Sequence, residues 1–401
     1  MPLFYLISHY SNLPFRAWEQ RKLGEVFTER SEKSSKGELI SVTISSGVIK
    51  ASELERKDIS SSDKSNYKVV KKGDIAYNSM RMWQGASGHS LFDGILSPAY
   101  TIITPKKNIS SKFISYIFKK HNMIQNFQRR SQGLTSDTWN LKFPALSGIK
   151  VKIPNYTEQA KISDFFQHID NTIALHQRKL DALKKMKKGF LQQMFPKSEE
   201  DVPKIRFTDF NGNWRQRKLE EVADRVRGND RRMELPTLTI SASKGWLNQH
   251  DRFFGNIAGK EQKNYTLLKK GQLSYNHGNS KSAKYGAVFV LRTYDEALVP
   301  RIYHSFKTNI LANSDFIEYL FATKIPDREL RKIVSSGARM DGLLNINFND
   351  FMSILIMLPF VEEQIKISNS LIRLDKIISL YQNKLDQLIK LKKAYLQYLF
   401  I

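Results

Sequence analysis

The chain has 401 residues, 64 Lys and Arg against 39 Asp and Glu, and a formal net charge of +25. That excess of cations points to a polyanionic partner, with nucleic acid the first expectation and an anionic membrane surface the weaker one. The absence of cysteine excludes disulfides and thiolate metal sites and suits a reducing cytoplasm.

The length favours two domains over one core. The opening MPLFYLIS is apolar but lacks the basic flank and the length of a signal peptide. The longest apolar run, Ser353 to Val361, falls far below the ~20 residues of a membrane span. A soluble cytoplasmic protein, with no membrane partner, is the expectation.

In chain order, WEQRKLGEV (Trp18 to Val26) comes first, and YKVVKKGDIAYN (Tyr67 to Asn78) predicts strands flanking a Lys-Lys-Gly-Asp turn. Ser111 to Gly133 predicts a helix, with Phe113, Ile117 and Ile124 at helical spacing and a glycine stop. GIKVKIP (Gly148 to Pro154) alternates as a strand, and a long helix follows from Thr157. Pro196 to Phe207 carries proline, a charge run and no periodicity, and reads as a linker.

The rest repeats what precedes it. WRQRKLEEV (Trp214 to Val222), YTLLKKGQLSYN (Tyr265 to Asn276) and NINFNDFMSILIMLP (Asn345 to Pro359) match earlier segments in the same order. Ser314 to Gly337 is the counterpart of the shorter helix, with Asp-Arg-Glu after Pro326 restarting it. Shifted by 205 positions, Glu158 to Phe195 and Glu363 to Phe400 align without a gap, with about half the positions identical. A duplicated chain is expected: a first domain over 1–157, a helix over 158–196, linker and second domain over 197–361, and a second helix over 362–401. Each domain should be α+β.

Each long helix carries a heptad seam. Phe166, Ile169, Ile173, His176, Leu180, Leu183, Lys187, Phe190 and Met194 form the first, and Leu371 through Lys392 to Leu399 the second. Met186 and Leu391 are expected to supply the apolar side where the seam meets Lys187 and Lys392. About 38 residues make each helix about 57 Å long. So narrow a stripe needs a partner. Its own copy, antiparallel in the same chain, is the first reading; a helix of a second chain is the other. Lys184, Lys185, Lys188, Lys390 and Lys393 form basic tracts near the helix ends. They suit a solvated face with cations near the C-terminus, or a face that meets phosphates or a partner subunit.

Catalytic patterns are weak. No complete phosphate-binding loop or paired-His metal motif occurs, and SPAY (Ser97 to Tyr100) only faintly resembles the loop that holds a flipped adenine. Asp251 with Glu261 to Lys263 fits a metal-nuclease pattern loosely and has no equivalent in the first half. Binding is the better reading. Arg reads guanine edges, Asn and Gln read adenine, and Lys and Ser serve phosphates. Loops rich in these types give the candidate DNA-binding set: Asn78, Arg81, Trp83, Gln84, Arg129, Arg130, Gln132 and Thr135, then Asn276, His277, Asn279, Lys281, Lys284 and Arg339. These loops occupy equivalent places in two units whose frames match and whose loop chemistry differs.

The order W-QRKL, KKGD, SxG…NI-F and P…EQ-KI before a Leu/Lys helix resembles the specificity subunits of type I restriction-modification enzymes, over both halves of the chain. The tract EEQIKIS is its most specific part; the first copy has Thr157 where the second has Glu362. The resemblance implies an α+β fold of two tandem, pseudo-symmetric target-recognition domains, each followed by a long helix, with the helices as an antiparallel coiled coil. It implies a non-catalytic subunit that reads the two halves of an asymmetric bipartite site in double-stranded DNA. The helices then set the spacing and dock two modification subunits, which restriction subunits join. No metal or cofactor is implied in this chain; S-adenosylmethionine, ATP and Mg belong to the partner subunits. The alternative is a stand-alone metal-dependent endonuclease or methyltransferase with a degenerate active site.

Overall fold

A computed structural model describes residues 18–54, 62–197, 200–253, 259–278, 280, 283–334 and 343–400. Two compact units result, Met1–Gln177 with Asn383–Ile401, and Arg178–Gln382. The division passes through both long helices rather than between helix and domain, because each unit's core takes in part of each helix.

The first unit runs β1 (Glu19–Lys22), α1 (Leu23–Val26), β2 (Phe27–Glu29), β3 (Ile40–Thr43), β4 (Gly47–Lys50), β5 (Lys68–Val70), β6 (Ile75–Asn78), β7 (Ser87–His89), β8 (Gly94–Leu96) and β9 (Tyr100–Pro105). Then come α2 (Ser111–Ile117), α3 (His121–Arg130), α4 (Phe143–Ser147), β10 (Lys150–Ile153) and the long α5 (Tyr156–Gln193). A four-stranded sheet of order β2-β9-β6-β7 is joined by the pairs β1-β10, β3-β4 and β5-β8. All pairings are antiparallel.

Strands flank the Lys-Lys-Gly-Asp turn as expected, and one sequence expectation, the single helix after Ser111, changes. The two flanking strands do not pair with each other: β5 joins β8, and β6 lies between β7 and β9. The cause is Asp74, which is 1% exposed. Its carboxylate accepts from Lys71 N at 2.9 Å, Arg30 Nε at 2.8 Å and Thr104 Oγ1 at 2.9 Å, so the turn folds inward. Gly73, at φ 98°, supplies the left-handed step. The helix expected over Ser111 to Gly133 breaks between Ile117 and His121. Phe118, fully buried, meets Phe127 edge to face at 5.2 Å. The break lets Phe113 and Ile114 share one core with Met123 and Phe127.

The second unit repeats the plan with β11 (Arg215–Lys218), α6 (Leu219–Val222), β12 (Ala223–Arg225), β13 (Leu238–Ser241), β14 (Gly245–Asn248), α7 (Gln249–Phe253), β15 (Thr266–Lys269), β16 (Leu273–Asn276), β17 (Ala287–Val290), β18 (Glu296–Val299) and β19 (His304–Thr308). It continues with α8 (Ser314–Ala322), α9 (Asp327–Ile333), α10 (Phe348–Met352), β20 (Leu355–Leu358) and the long α11 (Val361–Tyr398). The sheet order β12-β19-β16-β17 and the pairs β11-β20, β13-β14 and β15-β18 match the first unit strand for strand. The counterpart of Asp74 is Gln272, whose Oε1 accepts from Lys269 N at 2.9 Å, and Arg30 is matched by Val226, packed on an apolar cluster. A buried ion pair in one unit is thus a neutral, partly apolar contact in the other.

The Glu-Gln tract that opens each long helix has a structural task. Gln159 Oε1 accepts from Ser110 N at 2.9 Å while its Nε2 donates to Pro154 O at 2.9 Å. Gln364 does the same with Asn313 N and Pro359 O, both at 2.9 Å. The preceding glutamates diverge: Glu158 accepts from Trp18 Nε1 at 3.1 Å, whereas Glu363, wholly buried, takes Arg206 at 2.7 Å.

Within the first unit, Phe165 meets Tyr395 and Asp170 meets Lys392 at 2.5 Å, so the two helix segments run antiparallel. Phe400 stacks on Phe166 at 5.5 Å and lies edge-on to Trp18 at 6.3 Å. Within the second unit, Lys179 lies over the Tyr381 ring and Lys187 meets Asp375 at 2.6 Å, again antiparallel. Phe195 packs against Trp214 and Phe316 there. The heptad positions supply the inward faces, with Phe166, Leu180, Leu371 and Leu385 buried. Met186 does not: it is 43% exposed. The seam is closed at that level by Lys187 itself, whose charge is held by Asp375 and whose Nζ lies 5.6 Å from the Tyr319 ring centre.

Candidate nucleic-acid interface

In the first unit, β6 ends at Asn78, whose Oδ1 accepts from Met80 N at 3.0 Å and bends the chain out of the sheet. Met82, fully buried, pins the short turn that follows, and Gly85 at φ 86° closes it. This turn and the β3–β4 turn bound a cleft of about 320 Å³, lined by Ser41, Thr43, Asn78, Arg81, Gln84 and Tyr100 among others. Arg81 is exposed and Gln84 half-buried, and among the described residues neither side chain has a hydrogen-bond partner. A guanidinium and an amide in one cleft match the donor and acceptor patterns of purine edges.

Trp83 serves a different purpose. Its Nε1 donates to Met80 O at 3.0 Å and its ring packs edge-on to Trp139 at 5.3 Å. It thereby joins the Asn78 loop to the loop carrying Gln132 and Thr135, a link strengthened by Leu141 N donating to Ser79 O at 2.8 Å. Gln132 is exposed on the bridge to Asn140, and Thr135 on a turn with Thr138. Arg129 and Arg130 are exposed in the last turn of α3. The structure thus draws together Asn78, Arg81, Gln84 and Trp83, with the Gln132 loop joined to them through Trp139.

The second unit distributes its candidates otherwise. Asn276 Nδ2 donates to Ile240 O at 3.2 Å and its Oδ1 accepts from Gly278 N at 3.0 Å, so both ends are committed. His277 must be withdrawn from the base-reading set. It is 3% exposed, with Nδ1 at 2.7 Å from Leu344 O and Nε2 at 3.0 Å from Ile302 O. It stacks on His304 at 4.9 Å, where the first unit has a Ser79–Thr101 hydroxyl pair at 2.7 Å. Burial pushes the His304 pKa down to about 4. A histidine in a loop-like segment reads as exposed; the register of β16 with β19 turns this one inward. Lys284 is exposed, its Nζ 5.8 Å from the Tyr285 ring centre. Asn279, Lys281 and Arg339 lie outside the described residues.

Sequence reasoning missed Ser41, Thr43 and Tyr100. A signal existed for Thr43: TISSG (Thr43 to Gly47) and SASKG (Ser241 to Gly245) are matching Ser-containing hairpin turns. Lys184, Lys185, Lys188, Lys390 and Lys393 are all exposed.

For chemistry, no group of three or more His, Asp or Glu that could hold a metal occurs among the described residues. Asp251 is exposed on α7, and Glu261 accepts from Asn264 at 2.9 Å. Tyr100 of the Ser97 to Tyr100 segment opens β9 and lines the cleft. No helix among the described residues is long and apolar enough to cross a membrane.

Residues 16–185 match the family model of the type I restriction modification DNA specificity domain. The MjaVIII type I restriction enzyme specificity subunit of Methanocaldococcus jannaschii is 23% identical over 82% of this chain and 79% of its own length. A putative MjaX specificity subunit of the same organism is 24% identical over 45% of this chain and 46% of its own length. A crystal structure of a type I restriction-modification S subunit from M. genitalium covers 97% of this chain and 98% of its own, with a TM-score of 0.58 and 13% identity. That last likeness establishes the fold.

Proposed function

We infer the function from one premise: this chain belongs to the specificity subunits of type I restriction-modification systems, the DNA-recognition components that carry no catalytic centre. Each unit reads one half of a bipartite site in double-stranded DNA. The observation that carries this reading is the contrast between matching frames and differing side chains. The sheets correspond strand for strand. Yet Asn78 borders an open cleft with Arg81 and Gln84, whereas Asn276 is tied to Ile240. A constant scaffold with divergent readers suits two different half-sites rather than a palindrome.

The two long helices form one antiparallel coiled coil that sets the distance between half-sites. The ion pairs Asp170–Lys392 and Lys187–Asp375 support it, since the 205-residue repeat converts one into the other. The outer face, with the tracts at Lys184, Lys185, Lys188, Lys390 and Lys393, docks two modification subunits, and restriction subunits join that complex. S-adenosylmethionine, ATP and Mg act in those partners. The unit boundaries within the helices follow from this arrangement, each reader being seated on parts of both.

Methylome sequencing of a host with and without this chain tests the reading. The expected result is one split, non-palindromic motif whose methylation disappears with the chain. An unchanged methylome, with the modification subunits present, defeats it.

A further inference from the structure

We propose that Lys119 is a positioning residue that clamps the β3–β4 turn to the turn at 82–85 and so shapes the cleft in which Arg81 and Gln84 face DNA. Its Nζ donates to Gly85 O at 2.6 Å and to Ile44 O at 3.3 Å, one carbonyl from each turn. An ammonium has three donors and no acceptor, so it can hold two carbonyls at once. Lys119 follows α2 and is not itself among the residues lining the cleft, which include Arg81 and Gln84. Keeping a cation half-buried carries a desolvation cost. Burial, with the nearby Lys392 charge, pushes the Lys119 pKa down to about 8. An apolar side chain would fit that setting at lower cost, but could not join two carbonyl groups.

The second unit shows that the clamp is a substitution and not part of the common frame. α2 and α8 align from Ser111 with Ser314, which places Ala322 opposite Lys119. There the corresponding hairpin is tied from the sheet instead. Tyr303 Oη lies 2.9 Å from Thr239 Oγ1 and accepts from Ile240 N at 3.2 Å, while Asn276 donates to Ile240 O. The matching residues of the first unit, Tyr100 and Asn78, pair across β6 and β9 and line the cleft. Among the described residues Tyr100 Oη makes no hydrogen bond. Holding the hairpin from Lys119 therefore leaves the Tyr100 phenol and the Asn78 amide NH2 available to a ligand, the Asn78 Oδ1 being held by Met80 N. The clamp is a specificity device of one half-site, and it rests on the reading of the chain as a DNA-recognition subunit.

The test uses the full chain assembled with its modification subunits. A duplex pool with both half-sites randomised is selected by the wild type, Lys119→Arg and Lys119→Met, and amide hydrogen exchange of residues 44–47 and 83–86 is followed alongside. Lys119→Met is expected to bind the wild-type duplex tenfold or more weakly, to relax base preference in one half-site only, and to exchange faster in both turns. Lys119→Arg, still able to span two carbonyls, should keep the preference. Lys119→Met selecting the wild-type sequence with wild-type affinity overturns the clamp, and so does equal relaxation of both half-sites, which marks general destabilisation. If Lys119→Met does not fold, Lys119→Gln is judged by the same two criteria. A wild type that selects no sequence removes the DNA reading itself, a result distinct from either of these.

Discussion

Lys187 and Asp375 meet at 2.6 Å across the two long helices of the second unit, and Asp375 also accepts the Tyr319 hydroxyl at 2.8 Å. The repeat reproduces this arrangement in the first unit with Lys392, Asp170 and Tyr116, whose hydroxyl donates at 2.8 Å. Two seam lysines that would interrupt an apolar stripe are made compatible with it by the same two partners.

Replacing Asp375 by Ala should therefore destabilise the second unit by about 1–2 kcal/mol, combining a partly exposed ion pair with a lost tyrosine hydrogen bond. Urea unfolding read by unit-resolved hydrogen exchange checks this. The exchange Lys187→Asp with Asp375→Lys should recover part of the loss. No recovery would mean that the tyrosine contact alone matters.

Asp74 is expected to be less forgiving. It is 1% exposed and holds Arg30, itself only 18% exposed in its side chain. Asp74→Ala leaves that guanidinium without its main partner and should cost about 3–5 kcal/mol. The double change Arg30→Val with Asp74→Gln copies the second unit and should recover most of it. Thermal unfolding of the single and double variants measures the difference.

Acid should loosen the second unit through His304. Its folded pKa is about 4 against an ordinary 6.5. As the pH falls through 6.5 the unfolded chain takes up a proton that the folded chain refuses until about 4, so stability declines across that window. The loss is about 2–3 kcal/mol by that linkage. The variant His277→Ser with His304→Thr, carrying the first unit's pair, should lose this acid dependence in urea titrations from pH 7 to 4.

At the cleft, Arg81→Ala should relax selection at one guanine of one half-site, at about 1–3 kcal/mol. Gln84→Ala should act likewise at an adenine. Binding titrations against single-base variants of the methylated motif read both. Equal weakening for every sequence would instead assign Arg81 to a phosphate.

The sequence by itself determined the duplication, the two long helices and their seams, because these rest on local periodicity and on similarity between segments of one chain. Leu180, Leu371 and Leu385 are buried where the heptads place them. Only the tertiary structure decided that β5 and β6 part company around Asp74, that the helix after Ser111 breaks, and that His277 faces inward. Each depends on a partner distant in the chain: Arg30 and Thr104 for Asp74, Phe127 across the break at Phe118, and Ile302 and Leu344 for His277. The cleft follows the same rule. Arg81 and Gln84 are legible as residue types, but the carbonyls of Ile44 and Gly85 converge on Lys119 only once three separate segments have folded together. Local spacing encodes the faces of helices and strands; it does not encode which distant turn a side chain will meet.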